Sequence, residues 1–177
     1  MLIPLGFLAA SGVSAGSFDL LETQTLTGSQ ASVTFSSLST YASTYQHLQL
    51  RIVAKTGTTG WGFIQVNSDS GSNYSRHELR GSGSSVTSSA SSNYDSFLYG
   101  VVGSGWGSSV IDLLDPFETS KFKTFRALSG WVGADGIQLT SGNWRNTNAI
   151  SSILIDLQGV GNYDQYSRFS LYGWKAA

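Results

Sequence analysis

The chain holds no cysteine and two histidines, so proton-transfer chemistry would have to come from His47, His77 and the eleven carboxylates. Ser75, His77 and Glu78 lie close enough in sequence to suggest a nucleophile, a base and an orienting acid. In a strand, however, adjacent side chains point to opposite faces, so His77 and Glu78 cannot converge on one hydroxyl. Asp112, Asp115 and Glu118 are near enough to be weighed as a glycosidase pair, which needs two carboxyls roughly 5 to 9.5 Å apart. The same residues have a plainer reading, with Asp115 capping a turn at Pro116 and Asp112 as the solvent-facing member of a strand. The expectation is a chain with no catalytic residues and no cofactor.

The run from Asn67 to Asn73 carries side-chain oxygens at alternate positions, and Glu78 falls where a twelve-residue calcium loop places its bidentate carboxylate. Asn67, Asp69 and Glu78 are therefore the candidate metal ligands. Ser72 stands where that loop needs glycine and Gly71 stands in for a ligand, so a polar turn accounts for the same residues. Asn73-Tyr74-Ser75 matches the N-glycosylation acceptor, which matters only on a secretory route.

Aromatic residues are the other chemistry-bearing group. Trp61, Trp106 and Trp144, with Tyr94 and Tyr99, sit beside Gly, Asn and Ser, the surroundings in which a ring can stack on the apolar face of a sugar. These five are the expected glycan-contact surface. The same rings would equally fill the ends of a sandwich or a subunit interface.

The elements that must position these groups read as β throughout. Residues 45–55 put Leu48, Leu50, Ile52 and Ala54 on one face and Gln49, Arg51, Val53 and Lys55 on the other, and residues 63–66 follow a glycine-rich turn as a hairpin partner. Further strands are expected over 18–26, 31–35, 97–102, 109–114, 122–131, 136–140, 150–157 and 168–174. Residues 82–92, nearly all Ser, Gly, Thr and Ala, read as a long surface loop, and residues 115–121 as one helical turn behind Pro116. The pattern predicts an all-β, antiparallel β-sandwich, jelly-roll-like, of about ten strands. It would occupy residues 17–177 as a single domain.

Charged residues make up 12% of the chain, about half the usual share, and Ser, Thr, Gly and Asn fill the difference. Ten basic residues against eleven acidic ones, with no basic run, leave no field for a polyanion, so nucleic acid is not an expected partner. Residues 1–16 are apolar and uncharged. They lack the basic start of a signal peptide and are too short to span a bilayer. Leu2, Ile3, Leu5, Phe7 and Leu8 are instead expected to form an extended assembly arm inserted into another subunit, because left exposed they would be a sticky patch.

Four segments together carry a family resemblance: MLIPLGFLAASG, YQHLQLRIVAKT, NSDSGSNYSRHELRGSGSSV and RFSLYGWKAA, spread from Met1 to Ala177. The chain resembles small virion structural proteins of marine and cyanobacterial phages, of the tail-fibre, tail or capsid-decoration type. The resemblance implies a virion location, other phage virion proteins and a second and third copy of itself as partners, and no catalytic residues. A homotrimer would bury the arm and turn its outer loops to the host surface. The competing expectations are a capsid cement protein, a virion-attached glycan hydrolase and a secreted lectin-like module.

Overall fold

A computed structural model describes residues 17–132, 136–158 and 161–175, and the apolar arm lies outside them. Among the described residues twelve strands form two antiparallel sheets. The strands are β1 (Phe18–Thr25), β2 (Ser32–Phe35), β3 (His47–Ala54), β4 (Gly60–Val66), β5 (Tyr74–Ser82), β6 (Ser85–Tyr94), β7 (Phe97–Val102), β8 (Gly107–Leu114), β9 (Lys123–Trp131), β10 (Gly136–Trp144), β11 (Ile153–Asp156) and β12 (Arg168–Trp174). The long sheet runs β1-β12-β3-β8-β9-β10-β5-β6 and the short one β2-β11-β4-β7. This is the expected all-β, jelly-roll-like sandwich, with twelve strands in place of about ten.

Alternation builds the core. Leu50 and Ile52 on β3, Ile111 and Leu113 on β8, and Phe125 and Ala127 on β9 face Ile64 and Val66 on β4 and Ile153 and Ile155 on β11. Phe97 on β7 stacks on Phe125 with ring centres 5.1 Å apart, fastening the edge of the short sheet to the long one. The register shifts between Gly62 and Phe63, opposite Tyr99. Glycine is needed at Gly62, because a Cβ there would overlap the Tyr99 ring.

Three local expectations fail, each for a physical reason. β3 and β4 are not a hairpin: β3 pairs with β12 and β8, while β4 pairs with β11 and β7 in the other sheet. The glycine-rich turn lets the chain cross between layers instead of folding back in one. Residues 82–92 are not a loop, since β6 is an edge strand paired with β5 from Tyr74 to Ser82. An edge strand is held by its backbone ladder and needs no core side chains. Residues 115–121 form no helix. Asp115 has φ 46°, which is not an N-cap conformation, and the turn is closed by Glu118 N–H donating to Asp115 C=O at 3.2 Å. That turn is pinned from below by Lys123, which is 1% exposed and donates to the carbonyl oxygens of Lys121 and Thr147, each at 3.0 Å, and of Glu118. A 3-10 helix, Leu38–Tyr41, forms where no helical pattern is expected.

Candidate functional site

The expected glycan-contact residues divide. Trp61, Tyr94 and Trp106 are 37%, 38% and 43% exposed. Tyr99 and Trp144 are buried and are withdrawn from that surface. Tyr99 belongs to β7, all six residues of which are buried, and its hydroxyl lies 3.0 Å from that of Tyr163. Burial pushes both phenols up, so both keep their protons. Trp144 closes β10 on the inner side, and its Nε1–H donates to Asp69 Oδ2 at 2.6 Å. Extending the alternation Gln138, Thr140, Gly142 by one step would have placed it in the core.

The calcium candidates do not converge. Asp69 accepts from Trp144, from Asn73 Nδ2 at 2.9 Å and from Gly71 N–H at 2.9 Å. Burial raises its pKa, but these three donors outweigh burial and hold the carboxyl below the ordinary range. Asn67 Oδ1 accepts from Ser151 N–H at 2.7 Å and Ser152 N–H at 3.2 Å. Glu78 is carried away along β5, about 13 Å beyond Tyr74 at strand rise. Among the described residues no cluster of three metal-binding side chains occurs.

The carboxylates weighed for acid–base work have local partners. Asp112 accepts from Gln49 Nε2 at 2.8 Å and Arg126 Nη2 at 3.1 Å. Asp115 is held below the usual carboxylate range by Lys121, with Gln46 and His47 adding to the effect against burial. Glu118 is lowered by the N–H groups of Ser120 and Thr119. A glycosidase acid needs the opposite shift. On β5, Glu78 points inward and His77 outward, so the Ser75, His77, Glu78 trio is split.

One exposed aromatic is built into a platform. Trp106 ends the β7–β8 loop, at the end of the sandwich where the β1–β2, β3–β4 and β11–β12 connections also lie. Thr56 N–H donates to Gly103 C=O at 2.9 Å, Asp164 N–H to Lys55 C=O at 2.9 Å, and Tyr166 N–H to Leu26 C=O at 2.8 Å. These bonds tie the four connections into one surface. Tyr166, with φ 71° and 68% exposure, stands in the turn before β12. Lys55 Nζ sits 5.8 Å from the Trp106 ring centre and 3.5 Å from Asp164 Oδ2. Three adjoining depressions share Trp106 as a wall. The largest, 460 Å³, also takes in Lys55, Asp164, Gln165 and Tyr166, and Arg168 borders the next. Sequence reasoning found Trp106 and missed the rest. The available signal was an aromatic, Tyr166, set in a turn of Asp, Gln and Ser.

A second cation–aromatic cluster lies on the inner side of the long sheet. The register sets Arg80 beside Gln138 and Glu78 beside Thr140, on the face that carries Ala127 in the core. The Arg80 guanidinium lies 5.1 Å from the Trp61 ring and 5.3 Å from that of Trp131, and Arg76 lies 4.1 Å from that of Tyr94. Arg76 Nε and Glu78 Oε1 form an ion pair at 2.6 Å, and Gln138 Nε2 donates to Glu78 at 3.3 Å and to Thr140 at 3.0 Å. Trp61 and Tyr94, read from sequence as sugar contacts, thus have one face against an arginine.

No family model matches the chain, and no curated protein matches it. Among solved structures it is similar to the marine PL-14 alginate lyase from Aplysia kurodai, at 13% identity and TM-score 0.34 over 75% of this chain and 69% of that one. It is also similar to a double mutant of alginate lyase Aly36B in complex with an alginate trisaccharide, at 9% identity and TM-score 0.31 over 88% and 80% of the two chains. A Scytalido-glutamic peptidase follows at 12% identity and TM-score 0.24, over 86% and 66%. Likeness at this level carries no chemistry to this chain.

Proposed function

We propose that this chain is a non-catalytic bacteriophage virion protein, of the tail-fibre or baseplate-associated kind, that contacts host-surface glycan through Trp106 and Tyr166. The observation that carries the contact site is the Trp106 platform: two exposed rings beside open depressions, ringed by Lys55, Asp164, Gln165 and Arg168. Rings of this kind stack on the apolar face of a sugar while neighbouring donors and acceptors take its hydroxyls. The four connections are cross-bonded, so little order has to be gained on binding. Virion membership is supported by the four sequence segments that resemble phage structural proteins. Two of them, YQHLQLRIVAKT and RFSLYGWKAA, supply the paired strands β3 and β12.

The test uses the purified chain and host-surface polysaccharide. Retention without shortening of the polymer is expected, and depolymerisation would overturn the non-catalytic reading in favour of a glycan hydrolase. Retention that survives Trp106→Ala combined with Tyr166→Ala would remove the platform as the site. The chain is further expected to assemble as a homotrimer, measurable by light scattering, and to map to the tail. A capsid position in a virion reconstruction would replace this with a decoration role.

A further inference from the structure

The outer face of the long sheet breaks the rule that a solvated sheet face is polar. Val110, Leu128, Leu139 and Leu79 stand opposite one another on β8, β9, β10 and β5, in register and on that face. They are 39%, 47%, 48% and 47% exposed, and Ile137 and Val86 continue the patch at 55% and 73%. Four neighbouring strands make this a continuous apolar strip about 15 Å wide at ordinary strand spacing. A strip of aliphatic side chains with no partner among the described residues marks a contact surface. In the row beside it Gln49, Asp112 and Arg126 are polar, and Asp112 accepts from the other two.

The chain's own N-terminus is delivered to this face. Phe18, the first residue of β1, stacks on Tyr172 at 4.8 Å and lies 4.9 Å from the Arg51 guanidinium, and Arg51 is the β3 partner of Val110. Ser17 and Phe18 line a groove with Arg51, Trp174 and Lys175. From Phe18 the strip begins about 20 Å away and ends about 32 Å away, counting three to six strand spacings across and four residues along. The ten steps from Phe18 back to Leu8 reach about 33 Å when extended. Those steps run through Ala, Ser, Gly and Val only, and beyond them Leu2, Ile3, Leu5, Phe7 and Leu8 form an uncharged apolar segment.

We propose that residues 2–8 of the same chain seat on the Val110, Leu128, Leu139, Leu79 strip and cover it, in place of the insertion into another subunit expected from sequence. This inference stands independently of the glycan site. The seat is apolar and accepts the segment by burial of aliphatic surface.

The absence of native cysteine allows one nitroxide to be placed at Leu5→Cys in the full chain. With nitroxide and methyl labels on the same chain, the signals of Leu128, Leu139 and Leu79 are expected to be lost by paramagnetic broadening, and to return on reduction of the nitroxide. A second sample is co-refolded from nitroxide-bearing unlabelled chains with an excess of methyl-labelled chains that carry no nitroxide, and there the signals are expected to persist. Broadening of the strip in that mixture would show a seat filled by another copy and overturn the proposal. So would strip signals that persist in both samples. Leu128→Ser, which changes only an exposed side chain, is expected to weaken the broadening at Leu139 and Leu79, and unchanged broadening there counts against the strip.

Discussion

Trp106 and Arg80 mark two regions built from the same parts, a cation set against indole rings, and the two are used in opposite ways. At Trp106 the cation is Lys55, its charge is shared with Asp164, and both lie at the mouth of open depressions. At Arg80 the cation lies between Trp61 and Trp131, next to the Arg76–Glu78 pair, and Trp131 is 5% exposed. Glycine again permits the close approach: a Cβ at Gly136 would overlap the Trp131 indole. The lesson is that an aromatic ring beside a polar residue does not define a contact site. What matters is whether the sheet register turns the ring toward the other layer or a connection carries it past the end of the strands.

The largest effect is expected in the closed region. Glu78→Ala leaves Arg76, whose side chain is 14% exposed, without its counter-charge. Removing one partner of such a pair should cost about 3 kcal/mol, read as a lower urea midpoint at unchanged slope. Glycan retention by the surviving folded fraction should be unaltered. A loss of under about 1 kcal/mol, the range of exposed ion pairs, would mean that the cluster is open to solvent and that the contrast between the two regions fails.

Trp106→Ala should do the reverse. Retention on host polysaccharide is expected to fall about tenfold, near 1.4 kcal/mol, with a smaller change in the urea midpoint. A large loss of stability with little loss of retention would place Trp106 with the packing tryptophans.

Arg80→Met sharpens the point with a smaller effect. The Nε of Arg80 has no hydrogen-bond partner among the described residues, and its guanidinium lies 5.1 and 5.3 Å from the two indole rings. An unbranched apolar side chain should take its place at a cost below about 1 kcal/mol, since apolar replacement of buried charge is often neutral. Calorimetric melting of the variant checks this. A collapse of the fold would show that the charge, and not the volume, holds Trp61 and Trp131 in place.

The same contrast explains what the sequence could reveal. The alternation on β3 announced its strand, because half its side chains must face the other sheet. β6 announced nothing, since seven of its ten residues are Ser, Thr or Ala and backbone pairing to β5 is what orders it. The β3 and β4 partners were misread because a glycine-rich turn permits both a fold-back and a crossing between sheets, and only the long-range partners β12 and β11 decide. Trp106 was legible as an aromatic set between glycines. Its companions Lys55, Asp164 and Tyr166 were not, because they come from connections 51 to 60 residues from it along the chain, by the positions 55, 106, 164 and 166. The approach of Arg80 to Trp61 and of Arg76 to Tyr94 was equally hidden, as each contact joins β5 to another strand, β4 or β6.

Trp144 supplies the smallest expected effect, because its ring is closed by an anion near the surface and not by a cation between sheets. Asp69 holds the Trp144 Nε1–H, Asn73 and the Gly71 N–H, and its carboxyl is lowered relative to the unfolded chain. A lowered carboxyl favours the fold above the ordinary aspartate value, about 3.9, and that contribution is lost as pH falls through the lower folded value. Asp69→Asn keeps an acceptor for the indole and removes the titration. The melting temperature of the native chain should therefore drop toward that of the variant as the solution is acidified below the ordinary aspartate value, while the two curves stay parallel above it. A gap that holds constant to the lowest pH would show that Asp69 closes Trp144 by shape alone, and the anion-closed indole would then belong with the packing contacts around Arg80.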